Sequence, residues 1–250
     1  MARVAQRAPV TDLSTESDHL EDFTRYRFAC GFVSGKNVLD VACGSGYGSA
    51  LLWREGSAAC VVGLDASWEA LQMARRFQVP GNVSFAAASA ERLPFCDGEF
   101  TAIVSMETLE HLRDPRAFLR DVGRVLRAEG QAIISTPLNN GEGRCRPDNP
   151  HHVREYSASE FMALLYDVFQ VVEMFSQVSE YGYDPLWAPL ERIRGRSWAR
   201  QAAAVVVPPS IRRGLRRATG SKGRQLAASR VTPGYDDRAA YQIAVCSQRR

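Results

Sequence analysis

The sequence lacks several features that would define a membrane or secreted protein. No apolar run approaches the roughly 20 residues that span a bilayer. The N-terminus is polar between residues 11 and 22 and has no apolar signal-peptide core. The six cysteines form no C-x-x-C pair and no cluster with histidine, which disfavours a disulfide framework or a zinc site. These absences predict a cytoplasmic protein with reduced thiols.

The charge is unevenly distributed along the chain. The 250 residues are 45% hydrophobic and 24% charged, which suits a globular protein with a net charge of +3. Residues 186–230 contain eleven Lys or Arg and a single acid, Glu191, so this segment alone carries +10 and the remainder −7. An acidic body with one basic segment is therefore predicted.

Strand-like and helix-like patterns alternate through most of the chain. Apolar, β-branched segments predict strands at 37–42, 59–64, 83–87, 101–105, 131–135, 170–175 and 241–246. Periodic segments predict helices at 18–33, 48–55, 67–77, 116–126 and 157–168. This alternation is typical of a doubly wound α/β sheet. We predict a flexible N-terminus at 1–17, a core at 18–178, a basic insertion or cap at 179–238 and a last core strand within 239–250.

A glycine-rich turn follows the first predicted strand, in V-L-D-V-A-C-G-S-G-Y-G (38–48). Asp65 lies nineteen residues beyond Gly46, at the end of the second strand, where an acid can accept hydrogen bonds from ribose hydroxyls. Asp40, at the end of the first strand, would repel a pyrophosphate but would suit a ligand with an ammonium group. The charges therefore favour S-adenosylmethionine over a dinucleotide.

Five motifs together resemble class I S-adenosylmethionine-dependent methyltransferases, especially those that modify small molecules and glycoconjugates. Beside the glycine-rich turn they are V-V-G-L-D-A-S (61–67), A-E-R-L-P-F (90–95), E-F-T-A-I-V-S-M-E-T-L-E-H (99–111) and G-Q-A-I-I-S-T-P (130–137). The resemblance covers about residues 18–178. It implies a Rossmann-like, mostly parallel seven-stranded sheet with helices on both faces and an antiparallel last strand.

The same resemblance assigns the cofactor-binding residues. They are Asp40, Ala42, Gly44 and Gly46 at the methionine end, Asp65 and Ala66 at the ribose, Ser89 and Ala90 at the adenine, and Met106 after the fourth strand. Ser89 departs from the family, which usually has aspartate there. A serine hydroxyl can still accept a hydrogen bond, but without charge and with shorter reach.

Two histidines are candidates for the chemistry at the acceptor. His111 ends a segment similar to the subgroup's E-x-x-E-H element, and His152 lies in a segment similar to N-P-x-H-x-R-E-x-S. His111 is the first candidate for a general base, and His152 is a second base or a substrate-binding residue. A purely structural role is the alternative for each. The histidines favour oxygen as the methyl acceptor. No arrangement resembles the two acids and asparagine of metal-dependent methyltransferases, so no metal is predicted.

The basic segment 186–230 leaves the partner open. It could be a solvated cap, a binding surface for an anionic acceptor such as a nucleotide-sugar, or a contact with an anionic membrane that presents a lipid-linked sugar. Nucleic acid is disfavoured because only Trp187 and Trp198 could stack on bases. The sequence thus predicts a small-molecule O-methyltransferase acting on a sugar or glycosylated natural product, with the insertion as a lid. The alternatives are an RNA methyltransferase and a non-catalytic protein that binds the cofactor.

Overall fold

The computed structural model describes residues 16–76, 82–139, 149–182, 225–236 and 239–248. The helices in these ranges are α1 (Glu16–Cys30), α2 (Tyr47–Arg54), α3 (Trp68–Arg76), α4 (Pro115–Val125) and α5 (Ala158–Tyr166), with a 3₁₀ turn at Leu109–His111. The strands are β1 (Asn37–Val41), β2 (Cys60–Asp65), β3 (Val83–Ala87), β4 (Phe100–Ser105), β5 (Leu126–Pro137), β6 (Val171–Gly182), β7 (Gln225–Pro233) and β8 (Tyr241–Ser247).

The strands form one sheet in the order β3-β2-β1-β4-β5-β8-β6-β7. Strands β1 to β5 pair in parallel, whereas β8 is antiparallel to both β5 and β6. The predicted Rossmann-like fold with an antiparallel last strand is confirmed. The sheet has eight described strands where the sequence predicts seven, because β7 lies inside the segment predicted as an insertion. Its sequence, QLAASRVTP, has too little apolar alternation to be recognised as a strand.

The chain divides into two compact units. One comprises residues 1–178 and 230–250, and the other runs from Ser179 to Ser229. Only residues 179–182 and 225–229 of the second unit are among those described. The predicted flexible N-terminus and most of the basic insertion therefore lie outside the described residues, and the domain boundaries remain a prediction.

The first unit buries apolar side chains on both faces of the sheet. Consecutive residues of β4 alternate, since Ile103 packs in one hydrophobic cluster and Ala102 and Val104 in the other. Helices α4 and α5 cover the first face, and α1 and α2 cover the second. Strands covered on both faces need an almost continuous apolar sequence, and this is the pattern from which they were predicted.

Local signals fix where two helices begin. Asp114 caps α4 by accepting a hydrogen bond from the Ala117 N–H, and Pro115 occupies the first helical position. Ser157 and Glu160 form the reciprocal capping box that their spacing predicts for α5. These caps fix the chain just after each of the two segments that contain the candidate histidines.

The described residues also bear on membrane-spanning helices and on the state of the cysteines. Within the described ranges, no helix is both long and apolar enough to cross a membrane. The five cysteines in these ranges are free thiols, whereas Cys145 lies outside them.

Helix α1 packs closely against the start of α2. The Tyr26 ring lies where a side chain on Gly48 would be, because a Cβ built there would come within 2.1 Å of the ring. Tyr26 also meets Tyr47 edge to face, with ring centroids 5.4 Å apart. Glycine at position 48 is therefore required for this contact between the helices.

We expect Gly48→Ala to destabilise the protein by about 1–3 kcal/mol, because the added methyl group overpacks against Tyr26. In an uncrowded helix the same change would stabilise by about 0.5–1 kcal/mol. Urea unfolding measures the difference. In a Tyr26→Leu background the penalty should shrink; an equal loss in both backgrounds would contradict the contact as its cause.

Candidate active site

The glycine-rich turn adopts a backbone that few residues tolerate. Ala42, Gly44 and Gly46 all have positive φ, at 59°, 56° and 76°. A Cβ on Gly46 would come within 2.7 Å of the Ala74 Cβ and 2.8 Å of the Phe85 ring. A Cβ on Gly44 would meet no atom within 4 Å. Gly46 is thus needed for packing, while Gly44 leaves open space beside the backbone that a ligand can approach.

Asp65 joins the glycine-rich turn to the start of α3. Its Oδ2 accepts the Gly44 N–H and its Oδ1 accepts the Ser67 N–H, both at 2.8 Å. An ionised carboxylate has about four acceptor positions, so two backbone donors leave capacity for further hydroxyls. Asp65 is half-buried and the adjacent Ala66 is exposed. Both residues lie at the edge where the parallel strands end, which is where ligands bind in such sheets.

Ser89 and Ala90 follow β3 at the same edge. The Ala88 N–H donates to the Asp65 carbonyl at 3.1 Å, which holds this segment next to the end of β2. The exposed Ser89 hydroxyl accepts the Glu91 N–H at 3.2 Å, and Ala90 packs on the core. The Ser89 hydroxyl, which the resemblance assigns to adenine, thus stabilises a local turn.

Asp40 lies beneath the turn, fully buried at 0% exposure. Its Oδ1 accepts the Tyr26 hydroxyl at 3.0 Å and its Oδ2 accepts the Ser49 hydroxyl at 2.6 Å. Burial raises the pKa of Asp40 to about 7, although both hydrogen bonds act in the opposite direction. The carboxylate therefore links α1, β1 and α2. Its predicted contact with a ligand ammonium group remains a prediction, as does that of the buried Met106.

Arg25 is a buried cation that sequence reasoning missed. It is 1% exposed, forms an ion pair with Asp22, and donates from Nη1 to Gln177 Oε1 at 2.8 Å. Its guanidinium lies 4.0 Å from the centroid of the Tyr241 ring. Burial opposes the charge, but Glu107 and Asp22 outweigh burial and hold the pKa of Arg25 above its usual range. On the sequence, Arg25 is one basic residue beside the apolar row of α1, without a motif to distinguish it.

Glu107 connects this cation to the end of β4. Its Oε1 lies 3.9 Å from Arg25 Nε and accepts the Ser135 hydroxyl at 2.7 Å. The residue has a positive φ of 53°, which is strained for glutamate and is held by these surroundings. The sequence motif located Glu107 at this strand end but gave no indication of its partner.

The structure brings His111 and His152 together. His111 ends the 3₁₀ turn after β4, and His152 lies in the segment before α5; their ring centroids are 4.9 Å apart. The Val153 and Arg154 N–H groups donate to the Glu110 carbonyl at 2.7 and 3.2 Å, which fastens the two segments together. The proximity is observed, while the catalytic roles of both residues remain predictions.

The hydrogen bonds define which nitrogen of each ring carries the proton. His111 Nδ1 lies 2.9 Å from the His151 carbonyl, which can only accept, so Nδ1 carries hydrogen. A neutral His111 therefore has its lone pair on Nε2. His152 Nδ1 lies 2.7 Å from Glu155 Oε1, and its Nε2 lies 3.0 Å from Asn149 Nδ2, a donor. Neutral His152 is accordingly protonated at Nδ1 as well.

Glu110 supplies a negative charge beside His111. Its carboxylate is fully buried, accepts the Thr136 hydroxyl at 3.0 Å through Oε2, and places Oε1 3.7 Å from His111 Nε2. An imidazolium formed at His111 would be stabilised by this anion, because a nearby opposite charge favours the charged form. The pair can therefore accept a proton at the edge of the sheet that holds the glycine-rich turn.

The comparisons with known proteins point to one class. Residues 39–134 match the family described as the methyltransferase domain. The chain is 34% identical over 140 residues to a probable S-adenosylmethionine-dependent methyltransferase of Mycobacterium tuberculosis, covering 54% of this chain and 48% of that protein. It is 32% identical over 115 residues to the ubiquinone biosynthesis O-methyltransferase of Escherichia coli, covering 45% and 47%. The chain thus spans about half the length of the curated relatives it matches.

Solved structures agree on the fold. A possible histamine N-methyltransferase of Thermotoga maritima superposes with a TM-score of 0.62 at 13% identity, covering 92% of this chain and 91% of that one. The YcgJ protein of Bacillus subtilis gives 0.57 at 19% identity, covering 93% and 100%. Residues 39–134 thus match a methyltransferase domain, and the fold is that of class I methyltransferases. The S-adenosylmethionine dependence of the Mycobacterium relative agrees with the cofactor that the charges around the glycine-rich turn predict.

We expect Asp65→Ala to weaken S-adenosylmethionine binding about 10- to 100-fold, because hydrogen bonds to a charged group contribute about 1.5–3 kcal/mol. Isothermal titration calorimetry measures the affinity. Glu69→Ala, an exposed acid on α3, is the matched control and should bind normally. Unchanged affinity in Asp65→Ala would remove the ribose assignment.

Asp40 makes the stability depend on pH. Its folded pKa of about 7 lies above the ordinary aspartate pKa of 3.8. Asp40 therefore ionises at lower pH in the unfolded chain than in the folded protein. As a result, the free energy of unfolding falls as pH rises from about 4 through 7. We expect Asp40→Asn to lose less free energy of unfolding than the parent between pH 5 and pH 8. Urea unfolding at both pH values tests this; equal losses in the two proteins would refute it.

Proposed function

We propose that this protein transfers the methyl group of S-adenosylmethionine to a hydroxyl of a small molecule, either a sugar or a glycosylated natural product. The observation that carries the proposal is the geometry of His111. Its Nδ1 is held by the His151 carbonyl, its Nε2 has the lone pair, and the Glu110 carboxylate lies 3.7 Å from that nitrogen. This arrangement suits a general base.

The chain's residues divide the work of the reaction. When bound, S-adenosylmethionine supplies a methyl group from its sulfonium, and the sulfur is left as a neutral thioether. The open backbone at Gly44 and the carboxylate of Asp65 bind and orient it, so that positioning provides most of the rate enhancement. His111 Nε2 takes the hydroxyl proton as the new carbon–oxygen bond forms, and Glu110 stabilises the resulting imidazolium.

Oxygen as the acceptor atom is supported by two considerations. A hydroxyl is a poor nucleophile until it loses its proton, so a base has more to contribute than it has for a neutral amine. One relative of about one-third identity is a ubiquinone biosynthesis O-methyltransferase. The Thermotoga protein, described as a possible N-methyltransferase, is similar in fold alone.

The surroundings of the acceptor belong to the same proposal. We assign His152 to the acceptor side of the site, because its ring stands next to that of His111. The basic segment 186–230 would act as a lid that attracts an anionic or lipid-linked sugar, with peripheral membrane contact and without nucleic acid as a partner. We propose a cytoplasmic location and natural product biosynthesis as its setting. Residues 186–224 of this segment lie outside those described.

His111→Ala tests the base. With an acceptor identified by screening sugars and glycosides for adenosylhomocysteine release, we expect kcat to fall about 10²- to 10⁴-fold. S-adenosylmethionine affinity, measured by calorimetry, should not change. Added imidazole should restore part of the turnover, since it can enter the space of the lost ring.

His151→Ala is the matched control for this variant. It removes a neighbouring exposed imidazole but keeps the backbone carbonyl that holds His111. Its turnover should match that of the parent. Full turnover in His111→Ala would remove His111 from the mechanism, and cofactor binding without turnover on any acceptor would favour a non-catalytic protein.

A further inference from the structure

Three metal-ligating side chains converge beside the end of β4. One ligand atom each from Glu110, His111 and His152 lies within 4.8 Å of the other two. Atoms bound to one tetrahedral Zn²⁺ at about 2.0–2.2 Å lie roughly 3.3 Å apart. The Glu110 Oε1 to His111 Nε2 distance of 3.7 Å is close to that value. The sequence analysis predicted no metal, because it could not show that these three side chains converge.

The outer contacts of both rings match those of metal-binding histidines. Such residues donate the remote N–H to a backbone carbonyl or a carboxylate, which fixes the tautomer and aims the other nitrogen at the ion. His111 Nδ1 has the His151 carbonyl at 2.9 Å, and His152 Nδ1 has Glu155 Oε1 at 2.7 Å. Both Nε2 atoms are thus prepared as ligands by contacts that are present in the protein.

The ligand set selects the kind of ion. Two imidazoles and one carboxylate suit Zn²⁺, whereas Mg²⁺ and Ca²⁺ prefer oxygen ligands. A divalent cation would also neutralise the fully buried Glu110 carboxylate. Binding would replace the hydrogen bond between Asn149 Nδ2 and His152 Nε2.

We propose that Glu110, His111 and His152 form a Zn²⁺ site that switches the enzyme off. Coordination uses the lone pair of His111 Nε2, and that lone pair is the one which accepts the hydroxyl proton. An occupied site therefore has no base. The inhibitory part rests on the proposed function of His111, whereas the binding part rests only on the geometry of the three side chains.

The binding test needs neither cofactor nor acceptor. Zn²⁺ is titrated calorimetrically into the metal-stripped full-length protein. We expect one tight site in the parent, about 100-fold weaker in His152→Ala and about 10-fold weaker in Glu155→Gln, which keeps all three ligands but loses the carboxylate on His152. His151→Ala is the matched control and should bind as the parent does. Affinity unchanged in both His152→Ala and Glu155→Gln would place the ion elsewhere, for instance on exposed Cys96, and would overturn the proposal.

The activity test separates the two parts of the argument. Stoichiometric Zn²⁺ should abolish turnover in the parent, and a chelator should restore it. Glu155→Gln should need about 10-fold more Zn²⁺ for the same loss. Turnover that is unchanged or raised by bound Zn²⁺ would refute the off state. Zn²⁺ binding by the parent, together with full activity of the His111→Ala variant, would instead refute the base while the metal site stands.

Discussion

The carboxylate of Asp40 holds together the three elements that surround the glycine-rich turn. It lies at the end of β1 and accepts a hydroxyl from α1 and another from α2. A buried carboxylate is costly unless it is hydrogen-bonded, so Tyr26 and Ser49 are constrained to stay where they are. The Tyr26 ring in turn excludes any side chain at Gly48. The start of α2, directly after the glycine-rich turn, is therefore held by a buried hydrogen-bond network.

The sequence predicted the features that depend on local order along the chain. The glycine-rich turn, Asp65 and the Ser157 capping box follow from short motifs, and the structure has each of them where expected. Strands β1 to β4 agree with the predicted bounds to within one residue. Strand β5 begins at Leu126 and β6 ends at Gly182, so both are longer than the predicted 131–135 and 170–175. Arg25 could not be predicted, because its partners Gln177 and Tyr241 are more than 150 residues away and have no signature of their own. The strand β7 was missed because its residues are mostly small or polar.

The histidines show the same limit at the site. Motifs located His111 and His152 separately, but the protonated nitrogen of each ring depends on the His151 carbonyl and the Glu155 carboxylate. The position of the His151 carbonyl depends on the path of the folded backbone, which the residue types in the two motifs do not determine. The Ser89 departure was visible in the sequence, whereas its use as an acceptor for the Glu91 N–H required the folded turn.

The match to the methyltransferase family divides the site into two parts. Residues 39–134 include the glycine-rich turn, Asp65, Glu110 and His111, whereas His152 and Glu155 lie beyond the matched range. The matched range thus contains both the cofactor side and the Glu110–His111 pair. The segment from residue 149 to α5, which places His152 against His111, lies outside that range.

The attachment of that segment has an evolutionary consequence. It is fastened to the Glu110 carbonyl by the backbone N–H groups of Val153 and Arg154, which any residue except proline can supply. Side chains along residues 149–155 are therefore exchangeable without loss of the anchor. Evolution can therefore change the surface beside His111 by point substitutions in one short loop, with the Glu110–His111 pair and the glycine-rich turn left intact.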